Sequence, residues 1–481
     1  MKNYSIFEKA AWVSALAILA LFASIRVIGL QPDAALYAGL AQKILHTGEA
    51  WMLSASAEKF PKFFEHPPYF FQWGAWLMAR LGVHEWSAKA MGALPALMAL
   101  FMITIFTWRS WGWSVAAWTV LAVTSTVHFT KYASTSMMEG PLALGVVLAA
   151  LGCYVYLYAN RNFVQLGGVL MMGAGIALAC AIKGVIGLGA WGGCLLAVVG
   201  HFFLENKPLR RLFFVPFLGL SLFFFGALPF LYWLLQAVKQ PALFEWLHGY
   251  FVKQVFRSAT TDRGEEFFRE AHNFFYYIEV IVKNLWPWWW AVPMTLVLSF
   301  RGKEGFRDKT LVRWILVSGS FFSAFIVPLS LISYKLPHYL HPTYLVLAPL
   351  AGFSIDFLAR SFLVPRFPWL VSPWLRWVSL LAAVAFVIVR GERISSTENR
   401  GQEFIAIRER VNSAPARCRV LVPRPAIDVY RMEAFALWYF EGREWGFTDE
   451  RLPSRIAVPA RSIYWVPPQG LIWASEECQK K

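Results

Sequence analysis

Apolar runs separated by short polar connectors dominate the chain from residue 10 to residue 390. They fall approximately at 10–30, 68–82, 87–108, 112–130, 138–159, 163–182, 184–203, 211–235, 286–300, 313–333, 340–359 and 369–390. Most approach the ~20 residues that an α-helix needs to cross the hydrocarbon core of a bilayer. The run at 10–30 is too long for the apolar core of a secretory signal and lacks a small-residue cleavage site, so it reads as a retained first span. After residue 390 the period changes. Val420-Leu421-Val422, Ile456-Ala457-Val458 and Ile463-Tyr464-Trp465-Val466 read as short β-strands, with a helix from Ala434 to Phe440 between them. The expected organisation is an α-helical polytopic membrane unit over 1–390 and a small α/β unit over 391–481.

Composition agrees. Of 481 residues, 58% are hydrophobic and only 15% charged, too few charges to cover a soluble protein of this size. The 24 Trp suit repeated crossings of the membrane–water interface. A net charge of +16 would fit a nucleic-acid ligand if it lay on one soluble stretch. Instead the basic residues are scattered through the connectors: Lys2 and Lys9, Arg109, Arg161, then Lys207, Arg210 and Arg211, then Arg301 to Arg313, then Arg360 and Arg366. The charge reads as topogenic, and no nucleic-acid partner is expected. The positive-inside rule collects all these groups in the cytoplasm provided that 68–82 does not cross. That run is short, aromatic and contains Arg80, so it reads as a helix lying at, or re-entering from, the outer surface. About eleven spans remain, with the N-terminus inside and the tail outside.

This topology gathers the long polar segments on the outer face. Asp33 and Tyr37 follow the first span, Glu65 and His66 precede two prolines, Glu139 opens a span, and Lys183 is wedged between two apolar runs. An acid at a helix start has a structural reading as a cap or a dipole partner. A lysine at that depth needs a partner or water. The most specific string is Lys335-Leu336-Pro337-His338-Tyr339-Leu340-His341-Pro342, at the outer start of a span. Arg257 follows an apolar stretch in the long loop 236–285. Carboxylates and cations thus converge on one boundary, a combination suited to a phosphorylated lipid and a polar acceptor.

These motifs resemble those of the GT-C membrane glycosyltransferases, in the branch that holds lipid A aminoarabinose transferase and the protein O-mannosyltransferases. Asp33 and Tyr37 match the acidic segment after the first span. Phe64-Glu65-His66-Pro67-Pro68 resembles Phe-Glu-Lys-Pro-Pro, Glu139-Gly140-Pro141-Leu142 resembles Asp-x-Pro-Leu, and Ile182-Lys183-Gly184 resembles Thr-Lys-Gly. The string from Lys335 to Pro342 matches Lys-Leu-Pro-x-Tyr-x-x-Pro, and Trp286-Pro287-Trp288 resembles a Pro-Trp after the long outer loop. The chain departs from the pattern at Ala34, Leu36, His66 and Glu139, where the family has Glu, Arg, Lys and Asp.

The resemblance implies a multi-pass protein of the bacterial inner membrane. It implies a polyprenyl-phosphate sugar donor, undecaprenyl in a bacterium, and a lipid A, protein or glycan acceptor. Asp33 would take the acceptor proton, and Glu139 would stabilise the oxocarbenium-like transition state or share a magnesium or manganese ion with Asp33. Lys335, Lys183, Arg257 and His66 would hold the phosphate, beside Tyr37, Glu65, His338 and Tyr339. Cys153, Cys180 and Cys194 lie in apolar runs as packing residues, whereas Cys418 and Cys478 flank the tail and would bridge in an oxidising periplasm. Two other readings stay open. One is a transporter or flippase for a lipid-linked sugar, though no internal repeat is evident. The other is a non-catalytic envelope scaffold.

Overall fold

The structure is a computed structural model. It describes residues 29–55, 62–126, 129, 131, 135–205, 214–256, 275–285, 288–301, 308–332, 335–367, 378, 381, 385, 402–415, 418–423, 429–440, 445–448, 462–466, 471–475 and 478. The expected first span, nearly all of the last one, Arg257, the Trp286-Pro287 pair and the strand expected at 456–458 lie outside these residues.

Helix α1 (Pro32–Thr47) was not among the expected apolar runs. Proline at its first turn needs no hydrogen bond there, and Gly48, at φ +71°, closes the other end by donating to the Ile44 carbonyl at 2.8 Å. Helix α2 (Tyr69–Leu81) occupies the run read as a surface helix; its 13 residues reach only ~20 Å at 1.5 Å per residue, short of a bilayer core. Helices α3 (Glu85–Trp111), α4 (Trp113–Thr124), α5 (Glu139–Tyr158), α6 (Asn162–Lys183), α7 (Leu188–Leu204) and α8 (Phe214–Lys239) follow. Next come α9 (Pro241–Gly249), a π turn (Tyr250–Phe256), α10 (Tyr276–Asn284), α11 (Ala291–Arg301), α12 (Lys309–Leu331), a 3-10 turn (Pro337–Leu340) and α13 (His341–Leu358).

Six helical segments among the described residues are long and apolar enough to cross a membrane: 85–111, 139–158, 162–204, 214–239, 309–331 and 337–363. The segment 162–204 holds two apolar helices, α6 and α7, joined by the 3-10 turn Gly184–Gly187. Two expected spans are shorter than their apolar runs. Helix α4 stops at Thr124, where the hydroxyls of Thr124 and Ser125 turn back onto the carbonyls of Val120 and Leu121. Such back-bonding offers the backbone an alternative to continuing the helix. Helix α11 begins only at Ala291, after a turn through Trp288–Trp290.

Helices α5 and α6 form an antiparallel pair whose backbones nearly touch. A Cβ on Gly152 would lie 2.8 Å from the Gly168 carbonyl, and one on Gly145 would lie 2.8 Å from that of Gly175. In a bilayer, where lipid tails are as apolar as any side chain, such close backbone approach is what drives helix association.

The C-terminal part comprises α14 (Gln402–Ser413), β1 (Arg419–Pro423), α15 (Val429–Tyr439), β2 (Trp445–Thr448), β3 (Ser462–Val466) and β4 (Leu471–Ala474). The sheet order is β2-β1-β3-β4, with β1 parallel to β2 and β3, and β4 antiparallel to β3. The helix expected at 434–440 is the C-terminal half of α15, which packs against α1. Strands β2 and β4 were not foreseen; at four residues each they are too short to display an alternation. Cys418 and Cys478 are joined in a disulfide, with Cα atoms 6.0 Å apart.

Candidate functional site

The site is built from helix ends, and the glycine seam sets its register. Stepping seven residues from Gly152 to Gly145 on α5, and from Gly168 to Gly175 on α6, keeps the helices in contact. One further step reaches the level of Glu139, the first residue of α5, and Lys183, the last of α6. Their side chains, 1% and 4% exposed, form an ion pair of 2.5 Å. Pairing is what allows either charge to be buried there. His338 Nε2 lies 3.6 Å from the same Glu139 oxygen, and the Lys183 ammonium sits 5.0 Å from the centre of the Tyr339 ring. His341, fully buried at the start of α13, faces the Glu139 backbone. Behind Lys183 the chain turns through Gly184 at φ +59°, where a Cβ would fall 1.5 Å from the Tyr250 hydroxyl. That hydroxyl accepts the Val185 N–H at 3.1 Å. The long loop is thereby tied to the Lys183 turn.

A second group stands on α1. Asp33 and Tyr37 lie one turn apart on the same face, both half-buried. The Tyr37 hydroxyl is 3.1 Å from His66 Nε2, and Glu65 adjoins it. Burial first, then Asp33, Glu139 and Glu65, pushes the Tyr37 hydroxyl well above its ordinary titration range. Tyr37 therefore stays protonated, and its hydroxyl shares a hydrogen bond with His66 Nε2. Asp33, Glu65, Glu139 and Tyr339 all act electrostatically on this one hydroxyl, which sets the two groups near each other.

Lys335 is buried immediately before the 3-10 turn. The neighbouring Leu336 carbonyl accepts a hydrogen bond from the Tyr277 hydroxyl at 3.3 Å, which ties α10 to the motif. Arg257 falls outside the described residues, directly after the π turn. Two residues were not singled out from the sequence. His341 belongs to the Lys335 string, and its place at the first turn of a span was the signal. Lys131, which acts electrostatically on His338, gave none.

A small apolar cleft lies between α4, α11 and α13, lined by Val123, Thr126, Phe129, Trp288, Tyr344 and His341. The expected cation site does not fit this donor set. Glu139 already pairs its charge with Lys183, and among the described residues no group of three His, Cys, Asp or Glu side chains is placed to hold an ion.

No family model matches the chain. It is 22% identical over 353 residues to the undecaprenyl phosphate-alpha-4-amino-4-deoxy-L-arabinose arabinosyl transferase of Serratia proteamaculans, a match that covers 71% of the chain and 58% of that protein. The chain thus spans less than two thirds of that relative's length. Among solved structures, ArnT from Cupriavidus metallidurans bound to undecaprenyl phosphate superposes with a TM-score of 0.68 at 18% identity, over 90% of this chain and 85% of that one. The archaeal oligosaccharyltransferase AglB from Archaeoglobus fulgidus, in complex with an inhibitory peptide and a dolichol-phosphate, gives a TM-score of 0.51 at 11% identity, over 92% and 64%. The chain has the fold of the polytopic GT-C membrane glycosyltransferases that its motifs resemble.

Proposed function

We propose that the protein is a membrane glycosyltransferase that moves a sugar from a polyprenyl-phosphate donor to a lipid A, protein or glycan acceptor. The membrane would be the bacterial inner membrane, with the site on its periplasmic face and residues 391–481 forming a domain there. The observation that carries this reading is the meeting of carboxylates, a buried lysine and two histidines at one end of a GT-C fold, beside an apolar cleft. The Serratia relative is named for undecaprenyl phosphate, and the Cupriavidus structure binds it.

In the reaction the acceptor oxygen bonds to the anomeric carbon while the bond from that carbon to the phosphate oxygen breaks. The electron pair leaves with the polyprenyl phosphate, which needs no proton. Asp33 takes the acceptor proton as general base. Lys335 and Lys183, with Arg257 and His66, stabilise the charge that grows on the leaving phosphate, and Glu139 holds Lys183 in register until the phosphate arrives. Tyr37, His66 and Glu65 orient the sugar hydroxyls, and His338 and Tyr339 frame Lys183. A divalent cation has no step in this scheme.

The test supplies purified protein with a mixed extract of undecaprenyl-phosphate-linked sugars and candidate acceptors, followed by mass spectrometry of the lipids. Wild type should release undecaprenyl phosphate from one sugar-lipid, whose lost mass names the sugar, and Asp33→Asn should slow release at least a hundredfold, at the low end of what a positioned general base contributes, roughly 10²–10⁴-fold. Folded wild type that binds the lipid yet consumes none would instead favour the transporter or scaffold reading.

A further inference from the structure

The stretch that leads into α1 carries two backbone donors just ahead of Asp33, and each is held by a distant side chain. The Gly29 N–H donates to Glu85 Oε2 at 2.9 Å, and the Leu30 N–H donates to the Tyr439 hydroxyl at 3.2 Å. The Tyr439 hydroxyl in turn donates to Glu85 Oε1 at 3.4 Å, and Lys89 balances the carboxylate at 3.6 Å. Glu85 opens α3, while Tyr439 ends α15, on the far side of the sequence. Gly29 stands at φ +85°, a conformation that glycine alone adopts at no cost. Helix α15 also presses on α1 directly: a Cβ on Gly39 would lie 2.6 Å from Leu437 Cγ. Leu30 and Tyr439 are both fully buried, so water cannot replace these bonds without moving the helices.

We infer that Tyr439 is a positioning residue for sugar transfer: through Glu85 and the Gly29–Leu30 backbone it fixes the start of α1, and with it the placement of Asp33. This gives residues 391–481 a part in the chemistry itself. The inference rests on the transferase reading proposed above. General-base catalysis tolerates little misplacement, so a loosened start of α1 should lower turnover and leave donor binding alone.

Tyr439→Phe removes one oxygen and keeps the ring that packs on Phe404 and Phe435. In the full-length protein, kcat should fall about tenfold, the worth of one hydrogen-bond link to a carboxylate, with KM for the sugar-lipid unchanged. Amide hydrogen exchange in the peptide 29–36 should speed up by a similar factor, because the Leu30 N–H loses its acceptor. Glu85→Ala should reproduce both effects, and Glu85→Gln, which keeps an acceptor for Gly29, should recover most of the turnover. An active wild type with unchanged kcat or unchanged exchange in Tyr439→Phe overturns the inference and leaves the transferase reading standing. A wild type that consumes no sugar-lipid overturns the transferase reading and the catalytic role of Tyr439 with it, even where exchange shows the latch to be real.

Discussion

At the scale of single residues, the decisive contact is between Glu139 and Lys183. The sequence placed both on the same boundary through the charge of the connectors, but could not pair them, because they stand at the far ends of two helices and only a side-by-side register brings them together. Taken separately, Lys183 reads as a phosphate ligand and Glu139 as a stabiliser or metal ligand. Their pairing gives each the partner that burial demands. Breaking a buried pair by removing one member leaves a bare charge, at a cost of about 3–5 kcal/mol, whereas removing both leaves none. Glu139→Gln and Lys183→Met should therefore each lower the melting temperature of the detergent-solubilised protein by several degrees. The double variant should melt above either single one and still fail to transfer sugar. Additive losses in the double variant would show that the pair carries no coupling, and that the two charges are stabilised by other groups.

At the scale of elements, the glycine seam turns helix packing into site geometry. The apolar runs made α3, α5, α6, α8, α12 and α13 legible, since a span needs little more than length and hydropathy. The seam was less legible. Gly145 and Gly152 on α5, and Gly168 and Gly175 on α6, are each separated by seven residues, a spacing that marks one helix face, but no rule of sequence says which helix that face will meet. Helix α1 shows in the sequence only as the helix that Asp33 would cap, and not as an apolar run, because its 16 residues mix Ala, Gly and Leu with Asp, Gln and Lys. Most of its residues are buried, between α2 and α15, and the latter contact is made from the opposite end of the chain. Gly167 supplies an internal control for the seam, as a Cβ there meets nothing within 4 Å, while one on Gly175 would lie 2.4 Å from the Ala149 nitrogen. Gly175→Leu should cost ~1–3 kcal/mol or more through overpacking, seen as a lower melting temperature, and should reduce transfer by parting Glu139 from Lys183. Gly167→Leu should change neither. Equal behaviour of the two variants would remove the seam as the source of the register.

At the scale of the whole molecule, the two ends of the helix bundle differ in kind. One holds the site. The other gathers Arg313, which pairs with Glu205 at 3.8 Å and lies 4.4 Å over the Tyr158 ring, and Arg360, 2.8 Å from Asp356. At the same end the Trp111 indole donates to Asp308 at 2.9 Å, and Ser114 bonds Asp356. Arg109, Arg161, Arg313 and Arg360 were assigned to a single side from the connectors alone, without reference to any motif of the site, and the fold keeps all four at helix ends opposite Glu139 and Lys183. The positive-inside rule predicts that end in the cytoplasm, the orientation proposed above. The disulfide between Cys418 and Cys478 supports the same orientation, because such bonds persist outside the reducing cytosol. Orientation can be read directly by cysteine labelling, since Cys153, Cys180 and Cys194 are buried and the remaining two are bridged. In spheroplasts of cells that produce the protein, a membrane-impermeant maleimide should label Lys62→Cys, whose native side chain is 43% exposed beside the site. It should reach Arg161→Cys only after the membrane is opened. Labelling in the reverse order would turn the molecule over. The site would then face the cytoplasm, where the disulfide would not survive and a periplasmic acceptor could not be reached.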